Sequence, residues 1–400
     1  MTATIPPSET LDLTARVEAL LASHDPAELS APEFLGAQFD AGLAWVHFPV
    51  GQGGLGLSQA QQAVINDLLS AAGAPPTDFT GANGIGLGMA APTIAAFGTP
   101  EQTDRFLRAT FTSEIIWCQL FSEPGAGSDL AAVATRATRD GDGWVVNGQK
   151  VWTSGAQNAQ FAILVARTNP DIPKHSGITY FLCDMTDPGV DVRPLRQITG
   201  EAEFNEVFLT DVRIPDSLRL GDEGNGWKVA NVTLNNERLA IGGLAAARED
   251  GQIGLVARRW REHPEGRTPG LHDTLLRLWV DAEVTRVTAE RLRQRLAVGQ
   301  PGPEGAGLKL AFATQAQAIT GLGIELEGEA GLRVDEWAMT RPDRVSLIGR
   351  DPAYRYLRAK GNSIEGGTSE ILRNVISERV LGLPPEHRVD KTDPWKDLPR

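Results

Sequence analysis

Residues 119–154 read QLFSEPGAGSDLAAVATRATRDGDGWVVNGQKVWTS: a turn-rich opening, two short alternating runs, and a closing patch of aromatic and hydroxyl side chains. In the opening, Gly125 and Gly127 let the backbone approach a ligand closely, while Ser122 and Ser128 set hydroxyls beside exposed amides. The alternating runs have the period of two that marks half-buried strands. Between them, Asn147-Gly148 offers two residues that tolerate positive φ, so the spacing predicts a two-residue hairpin turn there. Downstream, Phe161–Val165, Ile178–Leu182 and Val190–Pro194 are further short runs separated by turn residues, and together they predict a small barrel or sandwich.

On either side of this region the apolar period is helical. Leu13, Val17, Leu20 and Leu21 open a helical layer that is broken by Pro and Gly near 49–56 and 74–76. After Pro215 the same period returns at Ala240, Leu244 and Ala247, at Leu271, Leu275, Leu278 and Ala282, and at Leu308, Phe312, Ala316 and Ile319. The expected class is therefore α+β, with an N-terminal helical domain (1–114), a central β domain (115–222) and a C-terminal helical bundle (223–400). The stretch from Pro384 onward, with its prolines and charges, reads as loosely ordered.

Four hundred residues with 41% hydrophobic content can bury cores in two or three subdomains. A net charge of −13 opposes nucleic-acid binding, because the basic clusters at 258–267 and 286–295 are interrupted by acids. Cys118 and Cys183 are too few for a disulfide framework and share no metal-ligand spacing with the six histidines, which suits a reducing cytoplasm and no metal. The opening residues have neither the basic nor the apolar region of a leader, and no run reaches the about 18 apolar residues of a membrane span. Arginine predominates over lysine, the bias of a GC-rich bacterial genome.

Five ordered segments resemble acyl-CoA dehydrogenases: GLAWVHFPVGQGGLGLS (42–58), AFGTPEQTDRFL (96–107), the 119–154 stretch, FNEVFLTDVRIP (204–215) and GGTSEILRNVISERVLGLP (366–384). The resemblance implies FAD-dependent desaturation of an acyl-CoA thioester between its α and β carbons. Electrons would pass to an electron-transfer flavoprotein, from a homodimer or tetramer that could include an unlike paralogous subunit. It places Leu120, Ser122, Gly127, Trp152 and Ser154 against the flavin, with Thr368 and Glu370 as further cofactor contacts. Ser128, Asn235 and Arg238 fall on the thioester and CoA side. Arg267 stands where relatives grip the FAD pyrophosphate, but without their Phe-Gly, and their adenine loop is only faintly echoed at Leu326–Leu332. That loss keeps open a half-catalytic or non-catalytic partner subunit, and an oxygen-using homologue is a further alternative.

Desaturation needs a carboxylate to take the α-proton. Most relatives carry it in Glu-Gly-Thr near the C-terminus, but with Thr368 fixing the register the position two before it is Gly366, and Glu365 lies one residue early. In a branch resembling isovaleryl- and long-chain enzymes the base sits on the helix that here contains LNNERLAIGG, where it is Glu237. Its neighbours Leu234, Ala240 and Ile241 make a largely apolar stripe that would raise its pKa. Glu237 is the favoured base and Glu365 the competitor.

Overall fold

The computed structural model describes residues 7–77, 83–242, 247–296, 303–334, 337–342, 350–386 and 390–398, with side chains except at 7–12, 237–242, 293 and 296. Two compact units divide the chain. The first comprises Met1–Arg193, Phe204–Asn236 and Val389–Arg400, and the second Pro194–Glu203 and Glu237–Arg388.

In the first unit, helices α1 (Pro7–Ser23), α2 (Ala31–Asp40), α3 (Gln62–Ala71), α4 (Ala91–Phe97) and α5 (Pro100–Phe111) precede the strands. Local chemistry starts them: Thr99 and Gln102 form a reciprocal capping box ahead of Pro100 at the head of α5. Seven strands follow: β1 (Trp117–Leu120), β2 (Arg136–Asp140), β3 (Gly143–Ser154), β4 (Phe161–Arg167), β5 (Ile178–Asp184), β6 (Val190–Leu195) and β7 (Phe204–Pro215). Their order is β1-β4-β2-β3-β7-β6, with β5 also paired to β4. β1 runs parallel to β4 (Trp117 opposite Phe161), whereas β5 is antiparallel to it (Asp184 opposite Phe161). Every residue of β4 is buried, as expected of a strand covered on both faces. Helix α6 (Gly226–Gly242) is tied to this unit by Thr233, whose buried hydroxyl lies 3.0 Å from that of Thr93 and 2.9 Å from that of Tyr180.

The hairpin turn is not at Asn147-Gly148. β3 continues through that pair, with a register shift against β7 there, and β2 and β3 turn instead at Gly141-Asp142, where Asp140 opposes Gly143 and Gly141 has φ +61°. Gly148 serves close approach: a Cβ there would come within 2.7 Å of the Thr135 Cα. Asn147 instead exchanges hydrogen bonds with Asp211 across β7, its amide donating to the Asp211 carboxylate (3.0 Å) and its carbonyl accepting from the Asp211 N–H (2.9 Å). Asp211 itself stands at φ +51°.

In the second unit, α7 (Gln252–Glu262), α8 (Pro269–Leu296) and α9 (Gly305–Glu327) pack through Ile253, Val256, Leu275, Leu278, Ile319 and Leu322. Short helices α10 (Pro352–Ala359) and α11 (Ser369–Val375) follow. The α+β class read from the sequence is the one observed. The helical reading at Leu244 lies outside the described residues, and at Ala247 it is not met, since α6 ends at Gly242 and α7 starts at Gln252. Among the described residues no helix is long and apolar enough to cross a membrane. Part of the stretch from Pro384 departs from the loose order expected of it. Residues 390–398 are docked on the first unit, with the Trp395 and Lys396 N–H groups donating to the carbonyls of Ile172 and Pro170 (both 3.0 Å).

Candidate functional site

In the first unit, the turn after β1 and an irregularity in β3 lie side by side. Leu120 ends β1 as a buried residue, and the chain then folds on itself through reciprocal bonds between Glu123 and Ala126 (3.0 Å each). Gly125, Gly127 and Ser128 are exposed on this turn, while Ser122 is half-buried. The Val151 N–H donates to the Ser122 carbonyl at 2.9 Å, which joins the turn to β3 one residue before Trp152.

β3 then breaks register against β7 between Lys150 and Thr153. Trp152 occupies this bulge at φ +61°, a left-handed conformation costing an L-residue about 1–2 kcal/mol. The residue is 57% exposed, and Phe204 meets its indole edge-on with ring centroids 5.8 Å apart. A large apolar ring held out in a strained backbone position is the kind of outlier that marks a binding surface. Thr153 is buried beyond it, its carbonyl accepting from the Asn205 amide (3.1 Å), and Ser154 is half-buried at the strand end. Leu120, Ser122, Gly127, Ser128, Trp152 and Ser154 thus belong to one turn-and-bulge arrangement.

Beneath it lies a charged pair that the motif reading missed. Lys150 is wholly buried, and its ammonium donates to Glu123 Oε1 (2.8 Å) and to the carbonyls of Phe121 (3.0 Å) and Val165 (2.8 Å). Glu123 also accepts from the Ala134 and Thr135 N–H groups, at 2.6 and 3.0 Å. Burial opposes charge on Glu123, yet the Lys150 ammonium and these donors hold its carboxyl below the usual range. Desolvation draws Lys150 below an ordinary lysine despite its partner. The readable signal was a lysine in the same alternating register as Trp144 and Val146, with an acid inside the adjoining turn.

In the second unit, Glu365 is engaged by Arg358 through two parallel bonds of 3.0 Å each. The same guanidinium approaches Glu203 at 3.1 Å, and burial pushes the Glu203 carboxyl up to about 7. Next to Glu365, Gly366 and Gly367 take φ of +62° and +97°, and the buried Lys309 ammonium donates to the Gly367 and Asn362 carbonyls (2.7 Å each). Thr368 caps α11 by accepting from the Ile371 N–H at 3.2 Å, and Glu370 is an exposed residue 3.6 Å from Arg373. Arg267 donates to the Trp260 and Arg261 carbonyls at 2.8 and 2.9 Å, closing the end of α7. Asn235 is exposed on α6. Glu237 lies on α6 one turn after Thr233, but its side chain and that of Arg238 lie outside the described residues.

Chemically, the first-unit arrangement offers an exposed apolar ring, hydroxyls and open glycine backbone to a planar, polar-edged ligand. The isoalloxazine of a flavin fits that description.

Comparison with known proteins agrees along the chain. Residues 13–114, 118–212 and 224–381 match the N-terminal, middle and C-terminal domains of acyl-CoA dehydrogenases. Acyl-CoA dehydrogenase IpdE1 of Mycobacterium tuberculosis is 39% identical over 86% of this chain and 86% of its own length. Acyl-CoA dehydrogenase FadE34 of the same organism is 41% identical over 86% of this chain, which spans only 45% of that longer protein. Among solved structures, the Tcur3481–Tcur3483 steroid ACAD superposes with a TM-score of 0.71 at 25% identity, over 96% of this chain and 100% of that one.

Proposed function

Because the chain belongs to the acyl-CoA dehydrogenase family, we propose that it desaturates an acyl-CoA thioester to the trans-2-enoyl-CoA, with FAD as its cofactor and an electron-transfer flavoprotein as its oxidant. That it is an oxidoreductase acting on acyl-CoA follows from the family. The observation that carries the finer reading is Trp152, held exposed in a left-handed bulge beside the Ser122 turn.

Leu120, Ser122, Gly127, Trp152 and Ser154 would hold the flavin ring, with Thr368, Glu370 and Arg267 toward the rest of FAD. When bound, FAD supplies the acceptor for the β-hydride. Glu237 takes the α-proton as general base, a task worth about 10²–10⁴ in rate. Trp152 excludes water from the reacting carbons. Ser128, Asn235 and Arg238 serve the thioester and CoA. The pair of hydrogen bonds Arg358 donates to Glu365 supports a structural role for that acid, since both its oxygens are already occupied by a cation.

The test is an anaerobic titration with straight, branched and steroid-side-chain acyl-CoAs, following oxidised flavin absorbance, on wild type, Glu237→Gln and Glu365→Gln. Wild type should bleach with one thioester class, and Glu237→Gln should lose turnover about 10³-fold with flavin retained. Near wild-type turnover in Glu237→Gln with loss in Glu365→Gln would reverse the base assignment. A flavin that no thioester bleaches would refute the reaction.

A second reading, a subunit working beside a second copy or an unlike paralogue, is supported by α8. Leu276, Val280, Val284 and Val287 recur at four, four and three residues along it, each more than half exposed. Sedimentation of the purified chain alone distinguishes a self-sufficient oligomer from one that needs a partner.

A further inference from the structure

Residues 390–398 reach the segment that follows Ser128, and they do so by several independent contacts. The Trp395 indole N–H donates to the Ala132 carbonyl at 3.2 Å, and its ring lies 4.5 Å from the Arg167 guanidinium carbon. Arg167 is itself 2% exposed and donates to the carbonyls of Ala131 (2.5 Å), Val133 (3.2 Å) and Lys174 (2.7 Å). The indole therefore covers one face of a buried cation whose edges grip 131–133, an arrangement that keeps the cation from water and fixes its plane. A second link is ionic: the Lys174 ammonium, on a residue 6% exposed, pairs with Asp129 at 2.6 Å and also with Asp390. Backbone bonds from Trp395 and Lys396, and a Lys396–Asp171 pair at 2.7 Å, anchor the strap to the loop after β4.

Asp129 directly follows Ser128, and Ala134 and Thr135 donate to Glu123 inside the Ser122 turn. The 129–135 segment is thus gripped at one end by the Lys150–Glu123 pair and at the other by the strap. We propose that residues 390–398, through Trp395 and Asp390, are positioning residues that hold the Ser128–Val133 segment in its substrate-binding shape. This rests on the reading of Ser128 as a thioester-side contact. A buried lysine shared by two acids and an arginine capped by an indole exceed what is needed to tack down a chain end, and both converge on the same short segment.

The experiment uses the full chain with Trp395→Ala, Trp395→Phe and Asp390→Asn. Hydrogen–deuterium exchange is read on peptides covering 125–135, and kcat and KM are read with the acyl-CoA that bleaches wild type. Trp395→Ala should speed exchange in 129–135 about tenfold and raise KM roughly fivefold, with kcat within about twofold and flavin content unchanged. Trp395→Phe, which keeps the ring over Arg167, should recover most of the KM. Unchanged exchange in 129–135 overturns the proposal. So does faster exchange with unchanged KM, which would leave the strap as fold reinforcement only. If Trp395→Ala does not fold, Asp390→Asn carries the same two readouts with a smaller shift. If no thioester reacts with wild type, the dehydrogenase reading fails, and exchange alone then decides whether the strap holds the segment.

Discussion

The sharpest consequence of the first-unit arrangement concerns Lys150. Lys150→Met keeps a side chain of similar length and removes the charge. The variant leaves the Glu123 carboxylate, 7% exposed, with only the Ala134 and Thr135 N–H donors, and strips a donor from the Phe121 and Val165 carbonyls. Removing one partner of a buried pair costs about 3–5 kcal/mol. The lost donor to the two carbonyls adds to this, and the desolvation no longer suffered by the ammonium offsets part of it. A net loss of about 4 kcal/mol is expected. Glu123→Gln alone should cost less, and in the double variant the loss should be smaller than the two single losses together, with a coupling of about 2 kcal/mol. Urea unfolding midpoints on all four proteins measure this, with flavin content alongside, because the Phe121 carbonyl anchors the start of the Ser122 turn. A loss under about 1 kcal/mol for Lys150→Met, or strictly additive singles, would refute the claim that this pair organises the turn.

Three further outcomes are expected. Gly148→Ala should destabilise by about 1–3 kcal/mol in thermal unfolding, since its Cβ meets Thr135 backbone in mid-sheet, whereas Gly141→Ala should cost less because open space surrounds it despite its positive φ. Glu365→Gln should cost about 1.5–3 kcal/mol through Arg358 while leaving turnover within about threefold, as paired denaturation and rate measurements would register. Glu203, with its folded pKa raised to about 7 from an ordinary 4.5, binds more protons folded than unfolded between those values. Stability should therefore fall as pH rises through that window, by up to about 3 kcal/mol, and Glu203→Gln should flatten the fall in melting scans from pH 4.5 to 8.

What the sequence made legible was periodic and local. The helices follow from apolar stripes such as Leu271, Leu275 and Leu278, and β4 and β5 from short buried runs bounded by turns. Local signals also misled. Asn147-Gly148 and Gly141-Asp142 are both good turn pairs, and the choice between them is made by Asp211 and Thr135, 64 and 13 residues away in sequence. The bulge at Trp152 was hidden for the same reason. Val151, Trp152 and Thr153 look like an unbroken strand, and only the register of β7 shows that two residues of β3 are left out of the pairing.

The candidate site adds a different lesson about carboxylates. Motif register left Glu365 one residue from where a base is usually found, and nothing local could say whether the backbone absorbs the shift. Two left-handed glycines could in principle have carried the acid back toward the expected place. Arg358, seven residues earlier, takes both oxygens of Glu365 while also approaching Glu203. Glu203, beside the same cation yet raised by burial, shows that one arginine does not satisfy two acids equally. That occupancy of both Glu365 oxygens is what supports the proposal of Glu237, rather than Glu365, as the base.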